Sequence, residues 1–424
     1  MREEYIVALV MFGILIVGEI VTRNDKKWSA VLLLAASVAG SLAAGMGIRF
    51  REIVEGPFGF LDAALSVAAA AVFTGLLYRT GFLEKLLEKI LKVRARALKA
   101  ILILLFIALP GAFTGLGSLC ILTTGKLVGE KMKAKGIAQA KIVRTVMAGA
   151  FFGMMLPPNC LPAIIASNGA GSVLPTPYVG FFMPLLVLTL PSLILYALLN
   201  VKTLALEDET KESVKLPVFE LVVFLLVVAA ILVEGLLTSF VYIGGNTLAF
   251  FIGAVLLVFA KGGSVNAAVE SLHDAVVPLG LLFALGSFIE VTSMTGIRGI
   301  YSLLTLPQTT GGQTALLMLI LMAISLVIGL FLSVPIPAFL ATYAVFPIGW
   351  LANPVIVTGV SAAVGLVYLF TLRGGLFTET AGMLEDKNTK WGESVKAMLL
   401  PALLMCALAV VMVLFGDPLD FLIM

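Results

Sequence analysis

Arg373 gives the clearest entry to the chemistry of this chain. It stands in TLRGG (371–375), between an apolar run that begins at 356 and the segment LFTETAG, at the depth of a membrane span. A charge placed there costs from about 3 kcal/mol upward unless it faces a cavity, a partner or a ligand. Its planar fork suits an oxyanion such as a carboxylate, held by two parallel N–H donors. Two other readings stay open: an ion pair with Glu379 or Glu290, and a fixed charge standing in for a cation. Ser118, Asn159 and Thr371 offer side-chain oxygens beside interrupted backbone. Such oxygens and open carbonyls are the hard ligands that sodium prefers, and capping of the broken helix ends is the alternative role. Glu290, in GSFIEVTSM, is a second charge inside an apolar run, suited either to proton coupling or to an edge or paired position.

Other chemistries find little support. The single His273 lies beside Asp274 at the edge of an apolar run, so a histidine metal site is not expected. Gly125-Lys126 lacks the rest of a phosphate loop, since Cys120 replaces the first glycine and Leu127 the Ser or Thr. Cys120, Cys160 and Cys406 fall in apolar stretches without ligand spacing and read as core residues. No catalytic dyad stands out, so the chain is not expected to be an enzyme. No organic cofactor and no nucleic-acid partner are expected either.

These residues sit on two interrupted apolar segments. Residues 145–171 stall at MLPPNCLP and 356–383 stall at TLRGG. Pro157 and Pro158 lack amide donors and Gly374 and Gly375 loosen the ladder, so the freed backbone groups must face protein or water rather than lipid. Interruptions at matching places in two halves are the best sequence pointer to a transporter's binding site.

The rest of the chain fits a multi-pass membrane protein. It has 60% hydrophobic residues, 12% charged residues and a mean hydropathy of +1.11 over 424 residues. We read an all-α membrane protein with spans near 5–22, 28–48, 61–78, 143–168, 180–199, 217–237, 247–260, 275–292, 355–383 and 397–415. With the N-terminus outside, 23 of the 28 Lys and Arg fall in cytoplasmic connections, which favours placing both termini outside. The stretch 100–125 then has cytoplasmic flanks on both sides, and Pro110-Gly111, Gly115 and Gly117 interrupt it. It reads as a re-entrant hairpin with its tip near ALPGAFTGLGS, and 314–347, with SVPIP at its middle, as its counterpart from the outside. Each is preceded by a Thr-Gly pair, at 80–81 and 295–296, and by a segment suited to the membrane surface, most clearly FLEKLLEKILKVRARALK.

The order of span, surface helix, hairpin and broken span is therefore written twice in opposite orientation. From Gly81 to Gly153 is 72 residues and from Gly296 to Gly365 is 69. The organisation read from this is N-terminal scaffold spans at 1–60, a first inverted repeat at 61–199, a cytoplasmic linker at 200–216, a second repeat at 217–383 and a C-terminal span at 384–424.

The run VFTGLLYRTGFLEKL, followed by LLFIALPGAFTGLGS, GEKMKAKG and MAGAFFGMMLPPN, resembles the large membrane subunit of tripartite ATP-independent periplasmic (TRAP) transporters, within the ion transporter superfamily. The resemblance is tight only across about 72–168. It implies sodium held by hairpin and broken-helix carbonyls, here near Gly115, Ser118, Pro157 and Asn159, with an organic anion between; from the residues themselves we read Ser118, Asn159, Thr371, Arg373 and Gly374 as its contacts. In the second half the family's Phe-Leu-Asp-Gly is replaced by Phe331-Leu332-Ser333-Val334 and its Thr-Pro-Pro-Val-Gly by Thr371-Leu372-Arg373-Gly374-Gly375. The expected function is cation-coupled secondary transport of a small carboxylate across the inner membrane by elevator-type alternating access. The alternative is a subunit of a tripartite system with a small membrane partner and an extracytoplasmic binding protein; a channel or sensor is a further possibility.

Overall fold

The computed structural model describes residues 2–22, 26–165, 180–206, 215–236, 245–297, 299, 319–320, 323, 353–371, 375–386 and 388–423. The hairpin expected at 314–347, apart from 319–320 and 323, lies outside these residues, as do Ser333, Arg373, Gly374 and the polar stretch 207–214. Among the described residues all regular structure is helical.

The first half runs α1 (Arg2–Val21), α2 (Lys26–Ala43), α3 (Phe50–Glu55), a 3-10 turn (Gly56–Phe60), α4 (Leu61–Arg79), α5 (Phe82–Leu91), α6 (Arg96–Thr114), α7 (Gly117–Cys120), a π-helical segment (Ile121–Gly125), α8 (Lys126–Ala134) and α9 (Gln139–Met155). After a break, a helix resumes at 161–165, and α10 (Phe182–Leu199) and α11 (Val201–Leu204) follow. The second half runs α12 (Val218–Leu236), α13 (Gly245–Val258), α14 (Val265–His273), α15 (Val276–Met294), α16 (Pro354–Phe370), α17 (Leu376–Met383), α18 (Trp391–Leu414) and a 3-10 segment (Asp417–Ile423). Among the described residues six helices are long and apolar enough to cross a membrane, with α2, α13 and α16 shorter but apolar. This is a multi-pass helical membrane protein.

The two halves keep one register. A displacement of 215 residues carries α4 onto α15 at both ends (Leu61 to Val276, Arg79 to Met294) and α9 onto α16 at both ends (Gln139 to Pro354, Met155 to Phe370). The same displacement takes Val21 to Leu236, Ala43 to Val258, Phe50 to Val265 and Leu199 to Leu414, so the correspondence reaches the first two helices as well. Packing repeats reciprocally. α2 lies along α15 while α13 lies along α4, and α3 with its 3-10 turn packs on α15 while α14 packs on α4. Each half thus buries its helices against the other half, which a pseudo-twofold arrangement requires.

The Thr-Gly pairs prove to be helix stops. Thr80 Oγ1 donates to Leu77 O (3.1 Å) and Thr295 Oγ1 to Val291 O (2.8 Å), and each threonine is followed by a glycine with positive φ, Gly81 at 73° and Gly296 at 78°. The helix α5 that follows Gly81 is amphipathic: Phe82, Leu83, Leu87 and Leu91 are buried, while Glu84, Lys85 and Lys89 are exposed. It is ten residues long, and RALK belongs instead to the start of α6.

Candidate functional site

The chain reverses at Gly115, where α6 ends and α7 begins. Pro110 does not interrupt the helix as its sequence context suggests; α6 runs through it to Thr114. The lost donor is tolerated because neighbouring groups take over around the turn. Thr114 Oγ1 donates to Pro110 O (2.6 Å), and Leu116 N donates to Thr114 Oγ1 (3.1 Å). The two limbs are antiparallel and tied across: Gly111 N donates to Cys120 Sγ (3.0 Å) and Thr124 Oγ1 to Ile107 O (2.9 Å). Phe113 anchors the first limb against both halves, its ring 6.0 Å from Phe73 of α4, 5.3 Å from Phe250 of α13 and 6.4 Å from Phe224 of α12.

The break after α9 docks on this tip. A helix leaves its last four carbonyls without internal partners. Here Gly111 O accepts from Gly115 N (2.6 Å), Ala112 O from Asn159 N (3.2 Å) and Phe113 O from Asn159 Nδ2 (2.6 Å). The same amide holds Ser66 of α4, with Asn159 Nδ2 2.9 Å from Ser66 Oγ and Ser66 Oγ 3.1 Å from Asn159 Oδ1. Asn159, with 1% exposure, therefore bolts the broken helix to both the hairpin and α4. Gly115 is fixed by two requirements: its φ is 72°, and a Cβ there would lie 2.3 Å from Asn159 O and 3.0 Å from Leu161 N. Pro157 and Pro158 are buried in the same break and joined by a cis peptide bond. The far end of the first broken limb is capped too, since Thr189 Oγ1 donates to Met155 O (3.0 Å).

The second break stands at the equivalent register. Thr371, buried, ends α16 by donating Oγ1 to Val367 O (2.6 Å). Gly375 opens α17, and a Cβ there would meet Thr371 O and Tyr368 O, each at 2.8 Å. Tyr368 of α16 donates its hydroxyl to Glu379 Oε2 of α17, bridging the break. Arg373 and Gly374 fall between these and lie outside the described residues.

The two breaks converge on the hairpin. A Cβ at Gly117 would lie 3.2 Å from Leu376 Cδ1, and Gly115 borders Leu161, so the starts of α7, of the helix at 161–165 and of α17 are neighbours. Of the residues singled out in the sequence, Gly115 and Asn159 meet directly, and Pro157 is buried two residues before Asn159 in the same break. Ser118 is half-buried in the first turn of α7, and Thr371 lies across the second break. Glu290 is half-buried in α15, and Asp274 is exposed in the joint between α14 and α15, beside the last residue of α14, His273. Ser66 and Tyr368 were not anticipated. The only signal for either is one polar group within a long apolar run.

No known family model matches the sequence, and no curated protein is significantly similar to it. Solved structures do match. The Alcanivorax borkumensis YdaH transporter is 16% identical with a TM-score of 0.61, covering 87% of this chain and 89% of its own. Neisseria gonorrhoeae MtrF, described as illuminating a class of antimetabolite efflux pumps, is 16% identical with a TM-score of 0.57, covering 97% of each chain. The chain has the fold of these membrane transporters.

Proposed function

We propose that the chain is a secondary active transporter of a small organic anion. The observation that carries this reading is the meeting of three helix starts, at Gly117, 161 and Leu376, at two chain breaks of equal register. Helix N-termini carry partial positive charge and free N–H groups, and transporters place them against anionic substrate groups at the midplane. Arg373, between Thr371 and Gly375, would add a fork for a carboxylate.

Cation coupling rests on fewer groups. The carbonyls of Ala112 and Phe113 already accept from Asn159, which leaves Ser118 as the side-chain oxygen at the tip best placed for a sodium ion. The five spans per half, α1, α2, α4, the broken α9 and α10, make an odd number of crossings, so the second half would start on the opposite side of the membrane. An inverted arrangement supports alternating access, which we read as elevator-type, with the hairpin and broken helices moving as one block. A TRAP-type assembly with additional subunits is the alternative organisation. Export is a second reading of direction, favoured by the 97% mutual coverage with an antimetabolite efflux pump.

The test is uptake into proteoliposomes of an organic-acid panel selected by thermal stabilisation, with Arg373→Lys and Arg373→Ala. We expect the lysine variant to lose most activity because the two-pronged geometry is gone, while the protein stays folded. Near-normal transport by the lysine variant would reject the substrate-fork role.

A further inference from the structure

A second polar site lies away from the breaks. Between the hairpin's second limb, the end of α4 and the α14–α15 joint is a cavity of roughly 220 Å³. Thr74 and Arg79 of α4, Thr123 of the hairpin's returning limb, Lys126 at the start of α8, and Ser271 and Asp274 line it. A small apolar cluster of Val67, Ala71, Leu116, Leu119 and Ala275 stands between α4, the hairpin and α15 beside it. Because that cluster includes the residue after Gly115, it separates the cavity from the tip.

The lining has a definite hydrogen-bonding sense. Thr123 Oγ1 donates to Leu119 O and Ser271 Oγ to Ala267 O, so both hydroxyl protons are already used. Thr74 differs. Its hydroxyl is buried, the residue is 2% exposed, and among the described residues it has no hydrogen-bond partner. Leaving such a group unsatisfied is costly, which points to a ligand or water that completes it. Arg79 keeps part of its fork free, since one nitrogen, Nη1, is bound 2.7 Å from Glu270 Oε2. Among the described residues Lys126 makes no ion pair, and it is exposed at the cavity's edge. With Arg79 paired to Glu270, Lys126 is the cation of this lining that makes no ion pair among the described residues, and Asp274 is the carboxylate beside it.

We propose that this cavity binds a small oxyanion of the phosphate or carboxylate class, held by Lys126, the free edge of Arg79 and the Thr74 hydroxyl. The volume admits such a group with a few waters, each occupying about 30 Å³. Lys126 opens α8 directly after the hairpin's returning limb, while Thr74 and Arg79 sit on α4, so the bound anion clamps the end of that limb against its neighbour. The site does not depend on transport.

The experiment uses the purified full chain, unfolded thermally with inorganic phosphate or with chloride at matched ionic strength. A saturable rise in melting temperature with phosphate is expected, because a ligand that binds only the folded state stabilises it. Lys126→Gln should weaken the apparent affinity about tenfold or more, and Lys126→Arg should retain it. Thr74→Val should also weaken it without lowering the melting point of the phosphate-free protein. Asp274→Asn supplies the sign test: an anion site binds more tightly when that carboxylate is gone. If phosphate has no effect on its own, nanodiscs of phosphatidylglycerol against phosphatidylcholine test whether the oxyanion is a lipid headgroup; stabilisation that Lys126→Gln removes supports the site from that source. No Lys126-dependent effect in either arm, or weaker binding in Asp274→Asn, overturns the proposal.

Discussion

Asn159 closes the hairpin by donating its side-chain amide to Phe113 O, 2.6 Å away, while its backbone N–H takes the carbonyl one residue earlier. One residue in the first break thus satisfies two of the carbonyls that α6 leaves open. Asn159→Ala would strand Phe113 O and the Ser66 hydroxyl in a buried setting. We expect it to destabilise the protein by about 1–3 kcal/mol. Ser66→Ala should cost less, since Asn159 keeps its bond to Phe113. Thermal unfolding of both variants and the double variant measures the coupling, and additive effects would refute the shared network.

Two glycines with nearly the same backbone separate conformational strain from collision. Gly115 and Gly81 have φ of 72° and 73°, but only at Gly115 would a Cβ strike backbone, Asn159 O at 2.3 Å. Gly81→Ala should cost about 1–2 kcal/mol, the penalty for an L-residue in the left-handed region. Gly115→Ala should cost clearly more and disturb the tip. Equal losses would mean that the break does not press on the hairpin.

The spans and both interruptions were legible because apolar length and Pro-Pro or Gly-Gly pairs act locally. The helix ends at Arg79, Leu199 and Met294 fall within a few residues of the boundaries read from the sequence. The turn was harder to place. Pro110-Gly111 reads as a break, yet the reversal comes at Gly115, because Gly111 N donates to Cys120 Sγ and Thr124 Oγ1 donates to Ile107 O, holding the two limbs together on either side of the proline. The short helices α3 and α14 escaped notice, being too short for a periodic pattern. The full register also escaped notice. Gly153 and Gly365 are not equivalent: the 215-residue register pairs Gly153 with Tyr368 and Ala150 with Gly365, and neither pair shares a residue type.

Two adjacent residues beyond α17 carry opposite expectations. Glu385 adopts φ 53° at the end of that helix, where its N–H reaches Gly382 O (3.2 Å) and Asp386 N reaches Ala381 O (2.8 Å). Glycine is suited to this position, so Glu385→Gly should stabilise the protein by up to about 1 kcal/mol. Asp386 accepts from the Thr389 hydroxyl and from Asn388 N (2.8 Å), and these bonds, Thr389 first, hold its carboxyl below 3.8. Its contribution is therefore present above that value and is lost as pH falls through the lower folded value. Melting temperatures of wild type and Asp386→Asn should converge on acidification below pH 3.8. A gap that stays constant there would show that the carboxylate adds nothing.

Orientation is tested by labelling. Single cysteines at Glu55 and Asp420 should react with an impermeant thiol reagent added to intact cells, and one at Lys133 should not. The reverse pattern would place the hairpin's entry on the opposite face.

Coupling stoichiometry follows from the asymmetry between the halves. The 215-residue register pairs Ser118 with Ser333, so the halves differ instead at Pro158, whose partner is Arg373. A sodium ion close to a guanidinium is repelled by about 4 kcal/mol at 4 Å in a medium of effective dielectric 20. On the proposed reading, the first half then offers the more favourable cation position unless the bound anion screens the charge. Uptake in proteoliposomes should depend on sodium with a Hill coefficient of about one, and Ser118→Ala should weaken that dependence more than Ser333→Ala. A coefficient approaching two would show that the second position survives beside the arginine. Uptake indifferent to sodium but driven by a pH gradient would instead shift the coupling role to carboxyl groups, with Glu379, bonded by Tyr368 across the second break, as the first to substitute.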